Sequence, residues 1–403
     1  MKILHVITSL KIGGAESALY NLLSQFKQDN QDQHYVAYFY DGPNVEKIKN
    51  LGIQVFKIKG FFFRYDPFAY FRLKKLVKII KPDVIHSALW SANLLSKIVA
   101  QRLRIPIICD LHSNFLHDGK LRIFLERYFL FDVQRYVAVS TTARDGFTGA
   151  VVDRLKNERK KKKIEFRICT ILNGIDVDVV RKKGFEQKIL RQDIGLNEND
   201  FVVGAVGRLE PIKSYDLLIK SFAELICKLQ DRNIETLRPV HSELVEGRAN
   251  GAKLCIVGDG SQRTKLEKLV EELDVFDNVI FLGQKDDACG LYPLFDCFVL
   301  SSKSEGLSIA LLEALCFGLP IISTTANAEH DVIVDKVNGF LVPPGGVFEL
   351  AEAMEKLYKD SELRQRIGSA NLELVERKFG IDEVKNSYQK LYKQVVGEKE
   401  LLI

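Results

Sequence analysis

SSKSEGLSIALLEALCFGLPIIST, residues 301–324, places two glutamates, Glu305 and Glu313, in a stretch that is otherwise small or apolar. The apolar run CFVLS leads into it and predicts a buried strand, so SKSEG is expected to be a loop at the carboxyl end of that strand. A helix should begin near residues 307–308 and end near Gly318, before the next strand, PIIST. Strand, loop, helix and strand in this order indicate one unit of a parallel α/β sheet.

The same alternation of apolar strands and helical patterns runs along the chain. KILHVIT, HYVAYFY, IQVFKI, DVIHS, IPIICD, RYVAVS and FRICTIL are predicted strands of the first half. The alternation restarts after NGID at 173–176, with FVVGAV, KLCIVG, NVIFLG, CFVLS, PIIST and GFLVPP. Such strands predict parallel sheets covered on both faces. The fold class is therefore α/β, with two Rossmann-like doubly wound domains that face each other across a ligand-binding cleft.

Composition supports this division and excludes other classes. A chain of 403 residues is too long for one ordinary core. Its 46% hydrophobic and 28% charged residues are typical of globular proteins. The net charge of +5 is small for this length, so we expect no nucleic-acid partner.

Cysteine usage and the N-terminus bear on localisation. The seven cysteines are scattered and form no C-x-x-C pair, which favours buried thiols in a reducing, cytoplasmic compartment. The run after Met1 is short and ends at a glycine turn, so it predicts a first buried strand in preference to a signal peptide. No run of 18 apolar residues is present, and we expect no transmembrane helix.

The two glutamates of the opening segment suit a sugar nucleotide. Glu305 lies just before the predicted helix, whose N-terminal N–H groups can bind a phosphate. Glu313 lies one to two turns into it, and carboxylates accept hydrogen bonds from paired sugar hydroxyls. The alternative is that Glu305 only complements the helix dipole and Glu313 is a surface residue. A charge between ALL and ALC needs a partner, either a ligand or a structural group.

A second motif, AVGRLEPIKS at 205–214, adds cations at a neighbouring strand end. Arg208 and Lys213 follow the strand in the predicted loop. Opposite a helix N-terminus, two cations would suit a diphosphate. The alternative is that both side chains are simply solvated.

Six segments together resemble a known family. They are IGGAE (12–16), DVIHSALWSANL (83–94), ILNGID (171–176), GRLEPIK, VGDG (257–260) and SEGLSIALLEALCFGLPII. In this order, over nearly the whole chain, they resemble the retaining GT-B glycosyltransferases of glycosyltransferase family 4. The combination of G-R-L-x-x-x-K with E-x7-E is specific, whereas each piece alone is modest evidence.

The resemblance implies roles for the motif residues on the donor side. Arg208 and Lys213 would bind the donor diphosphate and offset charge on the leaving group. Glu313 would hold the ribose hydroxyls, and Glu305 would contact the hydroxyls of the transferred sugar. Further donor-binding positions are the backbone N–H groups of Gly306, Leu307 and Ser308.

The resemblance also implies roles for three other segments. Gly13 and Gly14 would let the first loop approach the donor phosphates and the acceptor. Gly258 and Gly260 would shape the backbone of the donor cleft. His112, in CDLHSN, would lie near the reaction centre, with Asp110 able to orient it; a structural histidine is the alternative for His112.

The implied activity is retaining transfer of a sugar from a nucleotide-diphosphate sugar to a glycan or lipid-linked acceptor, in bacterial surface polysaccharide synthesis. The implied domains are an acceptor domain at 1–173, a donor domain at 174–379 and a helix within 380–403 that returns to the first domain. No cofactor and no metal ion are expected. The single D-x-D, Asp176 to Asp178, follows NG and is interpreted as a loop or a helix cap.

Two rival functions stay open. Another GT-B enzyme, such as a nucleotide-sugar epimerase, would convert nucleotide sugars without an acceptor. A non-catalytic subunit would keep the fold and bind donor without turnover, although the motif residues argue against it. An NAD enzyme is disfavoured because neither VGDG nor KIGGAES belongs to a G-x-G-x-x-G motif.

Three segments stand apart from this account. Residues 60–80 combine aromatic and basic side chains, and 154–167 carry six basic residues between Lys156 and Lys163. The first is interpreted as a helix with one core and one solvated face, the second as a solvated loop. Together they alternatively form a patch for an anionic membrane surface, on which the protein would be peripheral. Residues 231–252 are interpreted as a surface insertion of no assigned function.

Overall fold

The computed structural model describes residues 1–29, 31–59, 67–112, 119–130, 133–230, 251–325 and 331–400. Nearly all of the expected insertion and the first part of the aromatic segment lie outside the described residues. The chain divides into two compact units. Met1–Ile175 and the segment from Phe379 onwards form the first, and Asp176–Lys378 form the second.

The first unit contains a seven-stranded parallel sheet in the order β3-β2-β1-β4-β5-β6-β7. Its strands are β1 (Lys2–Ser9), β2 (Gln33–Tyr40), β3 (Gln54–Lys57), β4 (Val84–Ala88), β5 (Ile107–Leu111), β6 (Arg135–Ala138) and β7 (Ile168–Thr170). The chain winds outward in both directions from β1 and β4, so the switch point of the sheet lies between these two strands. Its first strand lies where the N-terminal apolar run predicts it.

Helices cover both faces of this sheet. They are α1 (Gly14–Asp29), α2 (Asn44–Asn50), α3 (Pro67–Ile80), α4 (Trp90–Leu103), α5 (Lys120–Tyr128), α6 (Thr141–Phe147) and α7 (Glu158–Glu165). Helices α3, α4, α6 and α7 contribute to one apolar core, which includes Leu73, Val99, Phe147 and Ile164. Helices α1 and α2 contribute to a separate core on the other face.

The second unit contains a six-stranded parallel sheet in the order β10-β9-β8-β11-β12-β13. Its strands are β8 (Phe201–Val206), β9 (Ala252–Val257), β10 (Val279–Gly283), β11 (Cys297–Leu300), β12 (Ile321–Thr324) and β13 (Gly339–Val342). Here the winding direction changes between β8 and β11. Ligands of open α/β sheets bind at the carboxyl ends of the strands that flank this point.

Helices alternate with the strands of the second unit. They are α8 (Val177–Glu186), α9 (Tyr215–Leu229), α10 (Arg263–Glu272), α11 (Ile309–Cys316), α12 (Val347–Lys359) and α13 (Ser361–Lys378). Ser308 is the N-cap of α11, and Gly318 adopts φ +67° just beyond its end. That left-handed conformation favours glycine and ends the helix where the sequence predicts.

The last helix, α14 (Ile381–Glu400), belongs to the first unit. It presents Tyr388, Leu391, Tyr392 and Val395 to apolar residues of β1, β4 and β5. An isolated bridge between Ile175 and Gly380 joins the start of this segment to the end of the first part of the chain. The core of the first unit is therefore built from both ends of the sequence.

The interpretation of 154–167 as a solvated loop is wrong. Most of it is α7, whose first turn is capped by Asn157, the side chain of which accepts a hydrogen bond from Lys160 N at 3.1 Å. Ile164 is fully buried and anchors the helix to the core. Lysine and arginine are good helix formers, so a basic run needs only a cap and one apolar anchor to form a helix here.

Two further expectations are confirmed. Asp176 caps α8, because its side chain accepts a hydrogen bond from Val179 N at 3.0 Å. Helix α3 has a buried face with Ala69 and Leu73 and an exposed face.

Within the described part of the chain, no helix has both the length and the apolar composition for a membrane crossing.

Candidate active site

The switch point of the second sheet brings two motif residues together. Lys213 ends a 3₁₀ turn, Pro211–Lys213, that follows β8. Glu305 lies in the loop between β11 and α11. Lys213 Nζ forms an ion pair with Glu305 Oε1. The sequence predicts that these two strand ends form one site, and the two side chains are in direct contact.

The surrounding loop contacts hold this ion pair in place. Ser302 Oγ donates a hydrogen bond to the same oxygen, Glu305 Oε1. Ser301 Oγ donates to the backbone carbonyl of Lys213 at 2.9 Å, and Lys303 N donates to that of Ile212 at 2.8 Å. The Lys213 and Glu305 side chains are only 17% and 12% exposed. A partly desolvated lysine, paired with a carboxylate, is therefore held at the strand ends.

The segment before α11 supplies backbone donors at the same end of the sheet. Leu307 and Ser308 are buried and Gly306 is half-buried. The N–H groups of the first turn of a helix have no partner within that helix, and the helix dipole favours negative charge there. This segment can therefore contribute hydrogen bonds to a phosphate group.

Glu313 is half-buried on α11, between the fully buried Leu312 and Ala314. Its Oε2 accepts a hydrogen bond from the hydroxyl of Tyr292 at 2.6 Å. The charge at this apolar position thus has a structural partner, as its surroundings require. The carboxylate has more acceptor positions than one phenol occupies, so it can still bind a ligand.

Gly258 and Gly260 allow two loops at the strand ends to pack closely. Gly258 adopts φ +141°, and a Cβ there would lie 1.9 Å from the carbonyl oxygen of Gly207. At Gly260 a Cβ would lie 2.7 Å from the carbonyl oxygen of Leu209. Leu209 N also donates to the carbonyl of Asp259 at 3.0 Å. Both glycines have a structural role that does not depend on a ligand.

Arg208 lies in the loop after β8 and is exposed. Hydrogen bonds from Ser261 keep the pKa of Glu210 below its ordinary value, and the charge of Arg208 adds a smaller lowering. Ser261 Oγ donates to Glu210 Oε2 at 2.7 Å, which ties the loop after β8 to the loop after β9. Arg208 is therefore exposed to solvent, in the same loop after β8 that ends at Lys213.

The first unit carries the glycine loop after β1. A Cβ at Gly13 would lie 2.5 Å from Glu16 Oε2, whereas at Gly14 it would meet no atom of the described residues within 4 Å. Glu16 is 7% exposed, and its Oε1 accepts a hydrogen bond from Ser9 Oγ at 2.5 Å. The loop is therefore packed against Glu16 on the Gly13 side, and no described residue packs against the Gly14 side.

His112 lies just after β5, next to a buried polar network. Its Nε2 is 3.8 Å from Asp110 Oδ2, which is also 2.8 Å from His86 Nε2. Tyr388 of α14 donates a hydrogen bond to the same oxygen at 3.1 Å. Burial lowers the pKa of His112, with a smaller lowering from His86, while Asp110 acts in the opposite direction. Asp110 is thus placed where it can orient His112, and a neutral imidazole is favoured.

A small cavity of about 30 Å³ lies in the first unit beside this network. Its polar lining includes His5, His86, Asp110, His112 and Tyr388. That volume is enough for one water molecule or one hydroxyl group.

Sequence reasoning missed three side chains that hold the candidate residues. Ser302 bonds Glu305, Tyr292 bonds Glu313 and Tyr388 bonds Asp110. Ser302 is next to the motif, so its position alone was a usable signal. Tyr292 lies in an apolar run and Tyr388 is 278 residues from its partner, and no spacing pattern in the sequence marks either of them.

Comparison with known proteins matches both parts of the chain to family models. Residues 12–179 match the model described as Glycosyltransferase Family 4. Residues 186–373 match the model described as Glycosyl transferases group 1. The two matches are adjacent and together span most of the sequence.

Individual relatives are similar over almost their whole length. The capsular polysaccharide biosynthesis glycosyltransferase CapM of Staphylococcus aureus is 24% identical over 99% of this chain and 98% of its own. A relative from Campylobacter jejuni is 27% identical over 98% of this chain and 99% of its own. It is named GalNAc-alpha-(1->4)-GalNAc-alpha-(1->3)-diNAcBac-PP-undecaprenol alpha-1,4-N-acetyl-D-galactosaminyltransferase.

Among solved structures, Anabaena HepE in complex with UDP-glucose superposes with a TM-score of 0.78 at 21% identity, over 98% of this chain and 100% of that one. At this identity the likeness concerns the fold. That fold agrees with the two doubly wound units described above. The family models agree with the motifs that these units contain. The chain therefore belongs to glycosyltransferase family 4 and is a glycosyltransferase with the GT-B fold.

Proposed function

We propose that this glycosyltransferase moves a sugar from a nucleotide-diphosphate sugar to a glycan or lipid-linked acceptor, with retention at the anomeric carbon, in bacterial surface polysaccharide synthesis. The observation that carries the proposal is the Lys213–Glu305 ion pair at the switch point of the second sheet, next to α11. The names of the Staphylococcus and Campylobacter relatives support the acceptor class and the pathway.

The charges of the site suit departure of a diphosphate. Glycosyl transfer develops positive charge on the sugar and negative charge on the leaving group. Lys213, Arg208 and the N-terminus of α11 supply positive charge for the leaving diphosphate. In this proposal these groups take the place of a metal ion, and none is needed for turnover.

The carboxylates bind the neutral parts of the donor. Glu305 accepts hydrogen bonds from hydroxyls of the transferred sugar, and Glu313 accepts them from the ribose. Several similar proteins carry uridine nucleotides in their descriptions, among them HepE with UDP-glucose and an Escherichia coli galactosyltransferase named for UDP-Gal. A UDP-sugar is therefore the first donor to test.

The acceptor side lies in the first unit. No described residue lies within 4 Å of a Cβ placed at Gly14, and burial biases His112 towards its neutral form. A neutral imidazole can accept or donate a hydrogen bond at an acceptor or donor hydroxyl without adding a charge. Asp110 and Tyr388 keep that histidine in one orientation in this proposal.

The exposed face of α3 favours peripheral association with an anionic membrane. Phe68, Phe71 and Ile79 are 62–68% exposed, and Arg72, Lys75 and Lys78 share that face. Exposed aromatic and basic side chains on one helix face are typical of interfacial helices. We name this face of α3 the basic–aromatic surface.

Two other helices that pack on the same core also expose apolar and basic side chains. On α5, Leu121, Phe124 and Tyr128 are exposed beside Lys120 and Arg127. On α7, the exposed basic residues are Arg159, Lys160, Lys162 and Lys163. All seven cysteines are free thiols, which agrees with a location on the cytoplasmic face of the membrane.

The membrane proposal is tested by co-sedimentation with vesicles. Binding to phosphatidylglycerol–phosphatidylethanolamine vesicles should exceed binding to phosphatidylcholine vesicles, and Phe71→Asp or Phe124→Asp should reduce it at least about fivefold. Phe348→Asp, at a residue of the second unit that is 60% exposed, is the matched control. Equal sedimentation of all variants would contradict this part of the proposal.

The enzymatic proposal is tested by transfer. The protein is incubated with labelled UDP-glucose, UDP-galactose, UDP-N-acetylglucosamine or GDP-mannose and with undecaprenyl-diphosphate-linked saccharides, in the presence of EDTA. We expect a labelled product with the anomeric configuration of the donor, assigned by NMR. Turnover that stops with EDTA, or a product of inverted configuration, would contradict the proposal. Conversion of a nucleotide sugar without any acceptor would favour an epimerase instead.

A further inference from the structure

A buried tyrosine contacts the candidate ribose carboxylate. Tyr292 lies in the 3₁₀ turn Cys289–Leu294 that precedes β11, and it has no exposed surface. Its hydroxyl donates a hydrogen bond to Glu313 Oε2 at 2.6 Å. The resemblance to the family and the motifs assign no role to this residue.

Aromatic packing fixes the ring of Tyr292 independently of that hydrogen bond. The ring stacks on Phe317, with 5.8 Å between centroids and an interplanar angle of 7°. Phe295 and Phe298 contact it at centroid distances of 6.0 and 5.8 Å. Since the ring cannot move freely, its hydroxyl is a fixed point near α11.

The chemistry of the pair sets the direction of the bond. Burial and then the charge of Glu313 raise the pKa of Tyr292 well above its ordinary value, so the phenol keeps its proton. A carboxylate only accepts hydrogen bonds, and Tyr292 has one proton to donate. The bond is charge-assisted, and such bonds are stronger than those between neutral groups.

We propose that Tyr292 is a positioning residue for nucleotide recognition, which holds the Glu313 carboxylate in the orientation that accepts the 2′- and 3′-hydroxyls of ribose. It thereby sets a preference for ribonucleotides over 2′-deoxyribonucleotides. This inference rests on the proposed function, in which Glu313 binds the ribose.

The physical reason is that a glutamate has three side-chain torsions. An unsupported carboxylate samples several of their rotamers, and a pair of hydroxyls at fixed spacing matches few of these. Fixing one oxygen against an immobile ring removes that freedom before the ligand arrives. The carboxylate then binds the hydroxyl pair more tightly, while the contacts to the diphosphate are unchanged.

The experiment compares Tyr292→Phe with the wild-type protein by calorimetric titration. The ligands are UDP, GDP and ADP, each paired with its 2′-deoxy counterpart. For the nucleotide that binds best, we expect the wild type to prefer the ribo form by about tenfold or more, and the variant by less than about threefold. The affinity of the 2′-deoxy form, which keeps only the 3′-hydroxyl, should fall less than that of the ribo form.

Matched variants separate positioning from structural support. Tyr136→Phe removes another buried tyrosine hydroxyl, which donates to the carbonyl of Leu130 at 3.1 Å in the first unit, and should leave the preference unchanged. Phe317→Leu keeps the Tyr292 hydroxyl but loosens its ring, and should lower the preference by an intermediate amount. Circular dichroism confirms that each variant is folded.

The possible outcomes are distinct. If Tyr292→Phe keeps the wild-type preference, or weakens ribo and deoxy forms equally, the positioning role is wrong while nucleotide binding still supports the proposed function. If Phe317→Leu abolishes binding of both forms and Tyr292→Phe changes nothing, only packing matters. If the wild type binds none of the nucleotides, the proposed function itself is overturned.

Discussion

At the scale of single residues, the contact between Lys213 and Glu305 links two loops that are distant in sequence. Both side chains are mostly buried, and Ser302 shares the Glu305 oxygen. The lysine is therefore already positioned before a donor arrives, which lowers the entropic cost of placing a cation beside a diphosphate.

Lys213→Ala should lower kcat by about 100-fold or more, because one preorganised positive charge at the leaving group is removed. Lys220→Ala, an exposed lysine on α9, is the matched control and should retain wild-type turnover. Initial rates at saturating donor measure the effect. Wild-type turnover in Lys213→Ala would refute the assignment of this lysine to the leaving group.

Gly258→Ala should lower the stability of the second unit by about 2–4 kcal/mol, because the new Cβ would overlap the carbonyl oxygen of Gly207 and φ is +141°. Gly149→Ala is the control, since a Cβ there meets no atom within 4 Å in the part of the chain that the structure describes. Thermal melts of both variants give the comparison. Equal melting temperatures would show that the two loops do not pack as closely as described.

Local motifs predict the residues of the candidate site only in part. Glu305, Glu313 and Lys213 stand in motifs whose spacing relative to strand and helix ends can be recognised from sequence. Tyr292 could not be found that way, because its contact with Glu313 depends on how a turn before β11 packs against α11. Side-chain contacts between elements follow from tertiary packing, which periodicity does not encode.

At the scale of elements, a buried ion pair joins α4 and α5. Lys97 and Glu126 are 1% and 2% exposed and contact each other directly. The Lys97 ammonium also lies 5.2 Å from the centroid of the Tyr136 ring. Burial alone would lower the pKa of this lysine, but the pairing with Glu126 reverses that effect and raises it.

Lys97→Met should lower the free energy of unfolding by about 3–5 kcal/mol, because it leaves Glu126 buried without its cation. The double variant Lys97→Met, Glu126→Leu should recover most of this loss, since both charges are gone. Urea denaturation of the single and double variants measures the difference. A single variant as stable as the wild type would mean that Glu126 reaches solvent.

Histidines on neighbouring strands make the first unit sensitive to acid. His5 Nε2 on β1 and His34 Nδ1 on β2 are 3.0 Å apart. Burial lowers the pKa of His34 to about 4; Asp32 opposes this, while His86 and the N-terminal amine contribute to it. The pKa of His5 is also lowered, first by burial.

Between pH 6.5 and about 4, the unfolded chain binds a proton at His34 that the folded chain does not bind. Stability that is fully present above pH 6.5 is therefore lost as the pH falls towards about 4, by about 1–3 kcal/mol for His34. His34→Gln should show a smaller loss than the wild type when urea midpoints are compared at pH 7.0, 5.5 and 4.5. An equal loss in both proteins would contradict this origin of the acid sensitivity.

Helices and strands could be predicted from the sequence where apolar residues form a continuous run or a clear period. The strands β1 to β13 coincide with apolar runs, and α11 begins and ends where its loop and Gly318 indicate. Helix α7 was missed because its stability depends on one apolar anchor, Ile164, within a basic run. A single buried residue gives no period to detect.

At the scale of the whole molecule, the chain forms two sheets of the same architecture, and its last helix completes the first unit. Strand alternation is enough to predict two parallel sheets. The position of α14 is not visible in any local pattern, because its partners on β1 and β4 lie more than 300 residues earlier. The family resemblance implies that return, and the packing of Tyr388 and Tyr392 describes it in atomic terms.

The most direct test of the account is donor binding by the second unit, measured by thermal shift of the full-length protein with a panel of nucleotide-diphosphate sugars and free nucleotides in the absence of added metal. We expect one donor to raise the melting temperature of the wild type by several degrees and to have little effect on Glu313→Ala. A donor that stabilises wild type and Glu313→Ala equally would contradict the placement of the nucleotide at α11.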